Sequence, residues 1–205
     1  MRNFFLLITI YALLQYAMNT VLISDDLYYD SFSNQIGFEE VSRLLELGRR
    51  WNWISYALIP VIILVKVSFV AICLSIGCLL AGRQSSFIRV LPVTVAGEYV
   101  FLIPGFTKLL WFSFFSTDFS LEDLQFFAPL SILSLFNPME VERWLVYPLQ
   151  VLNLFEFAYW CILALQLRDF LGREFWDSFG FVTSTYGIGL LLWVVFVMFV
   201  TVTLS

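Results

Sequence analysis

The sequence contains no histidine and few charged residues. Of its 205 residues, 13% are Asp, Glu, Lys or Arg, against about 25% in a soluble domain. Without imidazole, neither a Ser–His or Cys–His pair nor a histidine ligand for metal or haem can form. With 11 Lys and Arg against 16 acids, the net charge is −5, which disfavours nucleic-acid binding. We therefore predict no enzymatic activity, no metal site, no cofactor and no nucleic-acid partner.

Cysteine is also scarce, and all three cysteines lie in apolar stretches. Cys73 and Cys78 are five residues apart, which on a helix separates them by about 140° around the axis. Neither a shared metal nor a disulfide within one helix fits this spacing, and the sequence has no CxxC pair. We interpret Cys73, Cys78 and Cys161 as small apolar packing residues.

Apolar residues make up 60% of the chain, and mean hydropathy is +0.87. A helix needs about 20 mostly apolar residues to cross a membrane. We predict an all-α integral membrane protein, a single transmembrane domain over residues 1–205, with the first span a retained signal anchor. The five predicted spans are residues 4–23, 53–81, 87–107, 144–167 and 178–203.

The distribution of Lys and Arg predicts the orientation of these spans. The connections on the two sides carry equal numbers of basic residues, but the two tightest turns, GRQSSFIR and RDFLGRE, are both basic. We expect a bacterial inner-membrane protein with a cytoplasmic N-terminus and an external C-terminus. Arg49 and Arg50 beside Trp51 favour the opposite orientation.

The first connection contains a predicted amphipathic helix. Residues 24–37 are typical of turn and loop, whereas 38–50 place apolar residues at helical spacing, with acids first and arginines last. This segment is either a surface lid or a partner-binding helix. Its candidate contact residues are Phe38, Val41, Leu45, Trp51 and Trp53, and aromatic Trp111 is a further lipid or partner contact.

The third connection combines a helix start with a short apolar run. Ser120 and Asp123 have the spacing of a capping box. The run 126–136 contains Pro129 and is too short to span a membrane, which favours an interfacial or re-entrant segment. If it did span, the chain would have six spans and an internal C-terminus.

Three charged residues, Lys66, Glu98 and Glu156, fall near the middle of different predicted spans. A charge at this depth requires a partner or a wet cavity, so we predict that the three converge and that one of the two carboxylates holds a proton. Gln150, Asn153, Glu156 and Tyr159 are spaced by three residues and predict a polar seam on one helix face, which Gln15 and Asn19 of the first span could join. The seam is either interhelical glue or an ion or proton site.

The layout resembles that of the Yip1-like family of small polytopic membrane proteins. The shared features are five spans, a cytosolic N-terminus, short basic turns after spans two and four, and little chain after the fifth. The segment YPLQVLNLFEFAYWCILALQL is also similar to uncharacterised bacterial polytopic membrane proteins. The resemblance implies a role in membrane organisation, trafficking or assembly, and it carries no functional residue over to this chain.

Two functional hypotheses remain from the sequence. The first is a non-catalytic scaffold, assembly or accessory subunit of a membrane protein complex, with lipid, other membrane proteins or a second copy as partners. The alternative is a small carrier or channel that uses Lys66, Glu98 and Glu156 as an intramembrane proton or ion site. A dry, packed polar seam would favour the first, and a wet cavity the second.

Overall fold

A computed structural model describes residues 2–32, 37–82 and 87–204, and none of these belongs to a β-strand. The predicted all-α class is therefore confirmed. The α-helices are α1 (Arg2–Val21), α2 (Asp25–Phe32), α3 (Phe38–Leu80), α4 (Phe87–Gly97), α5 (Leu102–Phe114), α6 (Leu121–Phe126), α7 (Arg143–Val151), α8 (Leu154–Leu171), α9 (Phe175–Val182) and α10 (Ile188–Leu204).

Four helical stretches of the described chain are long and apolar enough to cross a membrane, which identifies a membrane protein. They are Arg2–Val21, Phe38–Leu80, Phe87–Phe114 and Phe175–Leu204. These stretches correspond to the first, second, third and fifth predicted spans. The basic turn predicted between the second and third spans includes residues 83–86, which lie outside the described residues.

The first connection differs from its predicted form in two ways. The loop prediction is wrong for Asp25–Phe32, which is helical, because the Ser24 hydroxyl accepts a hydrogen bond from the Leu27 amide at the helix start. The prediction of helix over residues 38–50 is confirmed. This helix does not end at the tryptophans, however, but continues through Pro60 to Leu80 as one 43-residue helix.

The third span is longer than predicted and changes its pitch midway. A 3₁₀ turn, Glu98–Phe101, joins α4 to α5, and the helix continues past Pro104 and Gly105 to Phe114. Pro104 lies in the first turn of α5, the part of a helix in which proline is best tolerated. Trp111 is therefore part of the helix rather than of a connection.

The predicted continuous helix over residues 144–167 is interrupted at Leu152 and Asn153, between α7 and α8. Backbone hydrogen bonds pair this interruption with the third connection: Ile132 donates to Leu152, and Leu154 donates to Leu130, both at 3.0 Å. The last span contains another irregularity, a π-helical turn at Thr183–Gly187 between α9 and α10.

The predicted capping box in the third connection is confirmed. The Ser120 hydroxyl accepts from the Asp123 amide, and the Asp123 carboxylate accepts from the Ser120 amide. The apolar run 126–136 contains no spanning helix; it includes a short 3₁₀ turn, Ile132–Leu135. The structure therefore favours the non-spanning interpretation of this run.

The chain forms two compact units. The first comprises Met1–Ile63 and Leu102–Phe127, with a small core of Leu22, Phe112 and Leu124. Here α1 and α5 pack closely at Gly105, where a Cβ would lie 2.5 Å from Leu14 Cδ2. Small residues allow such close approach between membrane helices.

The second unit comprises Leu64–Phe101 and Ala128–Ser205. Its core is larger and consists of residues from α3, α4, α8, α9 and the π turn. Tyr159, Leu163 and Leu167 are fully buried there. All three central charged residues, Lys66, Glu98 and Glu156, belong to this unit.

Candidate functional site

Lys66 and Glu98 form an ion pair inside the second unit. Lys66 Nζ lies 3.0 Å from Glu98 Oε2, and the side chains are 38% and 2% exposed, respectively. The ammonium also lies 3.3 Å from the centroid of the Phe101 ring. The pair is thus stabilised by charge, by a hydrogen bond and by the face of an aromatic ring.

The backbone places the two partners opposite each other. Glu98 begins the 3₁₀ turn that follows α4, and Lys66 lies in α3. Thr94 fixes this helix pair, because its buried hydroxyl lies within hydrogen-bonding distance of the Val67 carbonyl (3.3 Å) and the Leu91 carbonyl (2.8 Å). Gly97 allows the close approach of Tyr159, whose Cε2 atom would lie 2.5 Å from an added Cβ.

Tyr159 lies near both Glu98 and Glu156. Its hydroxyl interacts electrostatically with Glu98 and with Glu156. Nevertheless, neither the Tyr159 hydroxyl nor Glu98 Oε1 has a hydrogen bond of normal geometry, and both atoms are buried. Such unsatisfied polar atoms are rare in packed interiors.

Glu156 has its own hydrogen-bond donors. Trp160 Nε1 donates to Glu156 Oε1 at 2.9 Å, and the Tyr186 hydroxyl donates to the same oxygen at 2.7 Å. The structure therefore brings Lys66 and Glu98 into direct contact, whereas Glu156 is bound by Trp160 and Tyr186 and interacts with Glu98 only through charge repulsion. We call the set the polar network; its members are Lys66, Glu98, Glu156, Tyr159, Trp160 and Tyr186.

The polar seam predicted on one helix face is wrong in its geometry. Gln150 belongs to α7, whereas Asn153 is the N-cap of α8, and its side chain accepts from the Glu156 amide at 2.7 Å. Asn153 Nδ2 donates back to the Gln150 carbonyl at 2.8 Å. An asparagine that caps a helix leaves helical geometry, so the spacing of three does not place these residues on one face.

A groove of about 710 Å³ follows this interruption in the second unit. Its wall is formed mostly by apolar side chains from the third connection and from both sides of the α7–α8 break, and Glu156 is its one ionisable lining residue. The lining residues are Leu130, Ser131, Ile132, Ser134, Leu135, Val151, Leu152, Asn153, Leu154, Glu156, Phe157, Trp160 and Leu190.

The predicted contact residues of the first unit differ in exposure. Val41 is buried and Leu45 is half-buried, whereas Trp51, Trp53 and Phe38 are exposed. The Phe38 ring stacks on Tyr29, with centroids 4.7 Å apart. Exposed Trp111 stacks on Phe115 at 5.4 Å. The N-terminal part of α3 thus packs through Val41 and Phe38 and leaves Trp51 and Trp53 exposed.

The first unit also contains a polar cleft of about 600 Å³. Gln15 donates to Asn19, which in turn donates to Asn52 and Tyr56. Arg49 forms an ion pair with Asp25 at the same cleft. Gln15 and Asn19, which the sequence placed with the polar seam, thus make their hydrogen bonds within the first unit.

Sequence reasoning missed Trp160 and Tyr186 as partners of Glu156. The first has a local signal, because Glu156 and Trp160 are four residues apart on α8 and so share a helix face. Tyr186 has no such signal, since its position depends on the π turn of the last span. Among the described residues, no group of three Cys, Asp or Glu side chains is arranged to hold a metal ion.

No protein-family model matches this sequence, and comparison with curated proteins and with solved structures gave no match.

Proposed function

We propose that this chain is a non-catalytic accessory or assembly subunit of a membrane protein complex. In this role its spans contact other membrane proteins or a second copy, and its polar network holds the second unit together. The Yip1-like layout of its sequence is consistent with such a role in membrane organisation. We further propose a bacterial inner-membrane location with a cytoplasmic N-terminus.

The observation that carries this proposal is the partial exposure of the Lys66 side chain. Its side chain is 38% exposed, although it lies between apolar α3 residues that themselves face outward, such as Val65 and Ile72. A charge facing lipid near the middle of a span costs at least about 2.5–3.5 kcal/mol on insertion scales. A neighbouring protein helix over this face would remove Lys66 from lipid.

The second observation is the close packing behind this face. Glu98 and Tyr159 are 1% and 0% exposed, and neither Lys66 nor Glu98 lines the groove or the cleft. A packed polar cluster is typical of interhelical glue. It supports a structural role for the Lys66–Glu98 pair.

Site-specific photocrosslinking in native membranes tests the proposal. A photoreactive phenylalanine at Val65, next to Lys66 on the outward face, should crosslink to a discrete protein or to a second copy. Phe199 on α10 has a similar exposure, 68% against 62% for Val65, and provides the matched position on another helix. If Val65 gives only lipid adducts and the chain also purifies alone in mild detergent, the subunit proposal is wrong.

A small carrier is the second candidate, because Glu156 lines an apolar groove at an interrupted helix. Interrupted helices form substrate sites in many transporters. Proteoliposomes that contain the protein should then show solute flux coupled to protons. Glu156→Gln should abolish this flux, and the exposed control Glu174→Gln should leave it intact. Equal flux in both variants would remove this candidate.

A further inference from the structure

We propose that the groove of the second unit binds a lipophilic organic monocation. The groove is apolar on most of its wall and carries one carboxylate, that of Glu156. Its volume of about 710 Å³ is within the usual range of about 300–1,000 Å³ for small-molecule sites. This binding site does not depend on the subunit role proposed above.

The hydrogen bonds of Glu156 leave one of its oxygens for a ligand. Both side-chain donors, Trp160 and Tyr186, bind Oε1. Oε2 accepts no hydrogen bond among the described residues and is not sealed from the surface. A carboxylate in apolar surroundings requires a positive or hydrogen-bonding partner. Oε2 is the oxygen that can bind such a partner.

The one cation of the polar network, Lys66, is already paired. Lys66 binds Glu98, and the two charges cancel. Glu156, by contrast, has no cationic partner among the described residues, so its carboxylate matches one positive charge on a ligand. An anion of the same size would be repelled, and a dication would keep one charge unpaired in an apolar site.

Aromatic side chains beside the carboxylate strengthen the match. Trp160 and Phe157 both line the groove with Glu156. Aromatic faces attract cations, particularly those with a diffuse charge and a weak hydration shell. Together with apolar walls such as Leu135, Leu154 and Leu190, they favour a cation carried on an apolar body.

The backbone holds this site in position before a ligand arrives. Asn153 caps α8 three residues before Glu156, and backbone bonds join Leu130 to Leu154 and Ile132 to Leu152. The carboxylate and both walls of the groove therefore lie on a connected framework. Such preorganisation reduces the entropy that binding must overcome.

Binding of tetraphenylphosphonium to the purified chain tests the proposal. Tetraphenylborate has the same shape and the opposite charge, so it isolates the role of Glu156. Titration calorimetry in a nonionic detergent, with protein-free micelles subtracted, should show saturable binding of the phosphonium and none of the borate. Glu156→Gln should weaken phosphonium binding at least tenfold, while Glu174→Gln should leave it unchanged.

Three results would overturn the proposal: equal binding of the two probes, wild-type affinity in Glu156→Gln, or displacement of the phosphonium by added phosphatidylethanolamine. The last would assign the groove to a lipid amine. Glu156→Gln retains an oxygen for Trp160 and Tyr186, and near-UV circular dichroism shows whether it is folded. If it is not, Phe157→Leu decides the matter, since it should lower affinity severalfold, and unchanged affinity there refutes the site.

Discussion

The two side chains of the Lys66–Glu98 ion pair differ in exposure, and this difference determines how much stability the loss of each one costs. Glu98 is almost fully enclosed, whereas Lys66 retains 38% of its side-chain surface. Removing the lysine leaves a buried carboxylate without its cation, while removing the carboxylate leaves a cation that still contacts the Phe101 ring. The two single substitutions should therefore differ in their effects.

We expect Lys66→Met to lower the free energy of unfolding by about 1–2 kcal/mol. This is less than the ~3–5 kcal/mol found for fully buried pairs, because methionine also removes the cost of a charge that faces lipid. Thermal denaturation in detergent measures the effect, with the exposed Asp169→Asn as control.

The double variant Lys66→Met/Glu98→Gln provides the cycle for the same pair. It should recover part of the stability that Lys66→Met loses, since it removes the uncompensated carboxylate. If the loss of stability in the double variant equals the sum of the losses in the two single variants, the two charges are not coupled.

Gly97 is the residue whose size matters most to the polar network. An alanine Cβ would lie 2.5 Å from Cε2 of Tyr159, whose ring is fully buried and cannot move aside. We expect Gly97→Ala to destabilise the protein by about 1–3 kcal/mol, as overpacking does.

Gly48→Ala is the matched control for Gly97→Ala. Nothing lies within 4 Å of its added Cβ, and alanine favours the helix by up to about 1 kcal/mol. Melting temperatures of both variants in one detergent should shift in opposite directions. A shift in the same direction would contradict the close contact between Gly97 and Tyr159.

At the scale of elements, the sequence predicts which segments are apolar but not where the backbone leaves the helix. Hydropathy treats residues 144–167 as one span, whereas Asn153 ends it by capping the next helix. A signal was present, since Asn153 precedes Glu156 by three residues, which is the spacing of a capping box. The pairing of Leu152 and Leu154 with residues 130 and 132 had no local signal, because it joins segments about 20 residues apart.

Asn153→Ala should destabilise the interruption between α7 and α8. It removes the cap of α8 and the hydrogen bonds to the Gln150 and Val151 carbonyls, and loss of a cap typically costs about 1 kcal/mol. Hydrogen exchange at the start of α8 should increase in Asn153→Ala. The capping variant Ser120→Ala is the comparison, and its effect on α6 should be smaller. Equal protection of α8 in Asn153→Ala and in the unmodified chain would show that backbone pairing alone maintains the break.

At the scale of the whole molecule, the number of crossings depends on α7 and α8. Four stretches meet the length and composition of a span, and we propose that the two interrupted helices together provide the fifth. Five crossings place the chain ends on opposite sides of the membrane. Four place them on the same side.

Cysteine labelling in sealed inner-membrane vesicles distinguishes these topologies. Single cysteines at Asn3 and at Leu204 should react differently with a membrane-impermeant maleimide, with only Asn3 labelled in inside-out vesicles. The unmodified chain is the background control, since Cys73, Cys78 and Cys161 are buried or half-buried. Labelling at both ends would mean an even number of crossings.

The π turn Thr183–Gly187 makes the last span sensitive to its number of residues. Such a turn carries one residue more than an ordinary helical turn, and each residue rotates everything beyond it by about 100°. Before the turn ends, Tyr186 binds Glu156; after it, Trp193 donates to the Tyr147 hydroxyl at 2.8 Å. Deleting Ser184 would leave the segment just as apolar, yet it could satisfy only one of these two bonds at a time.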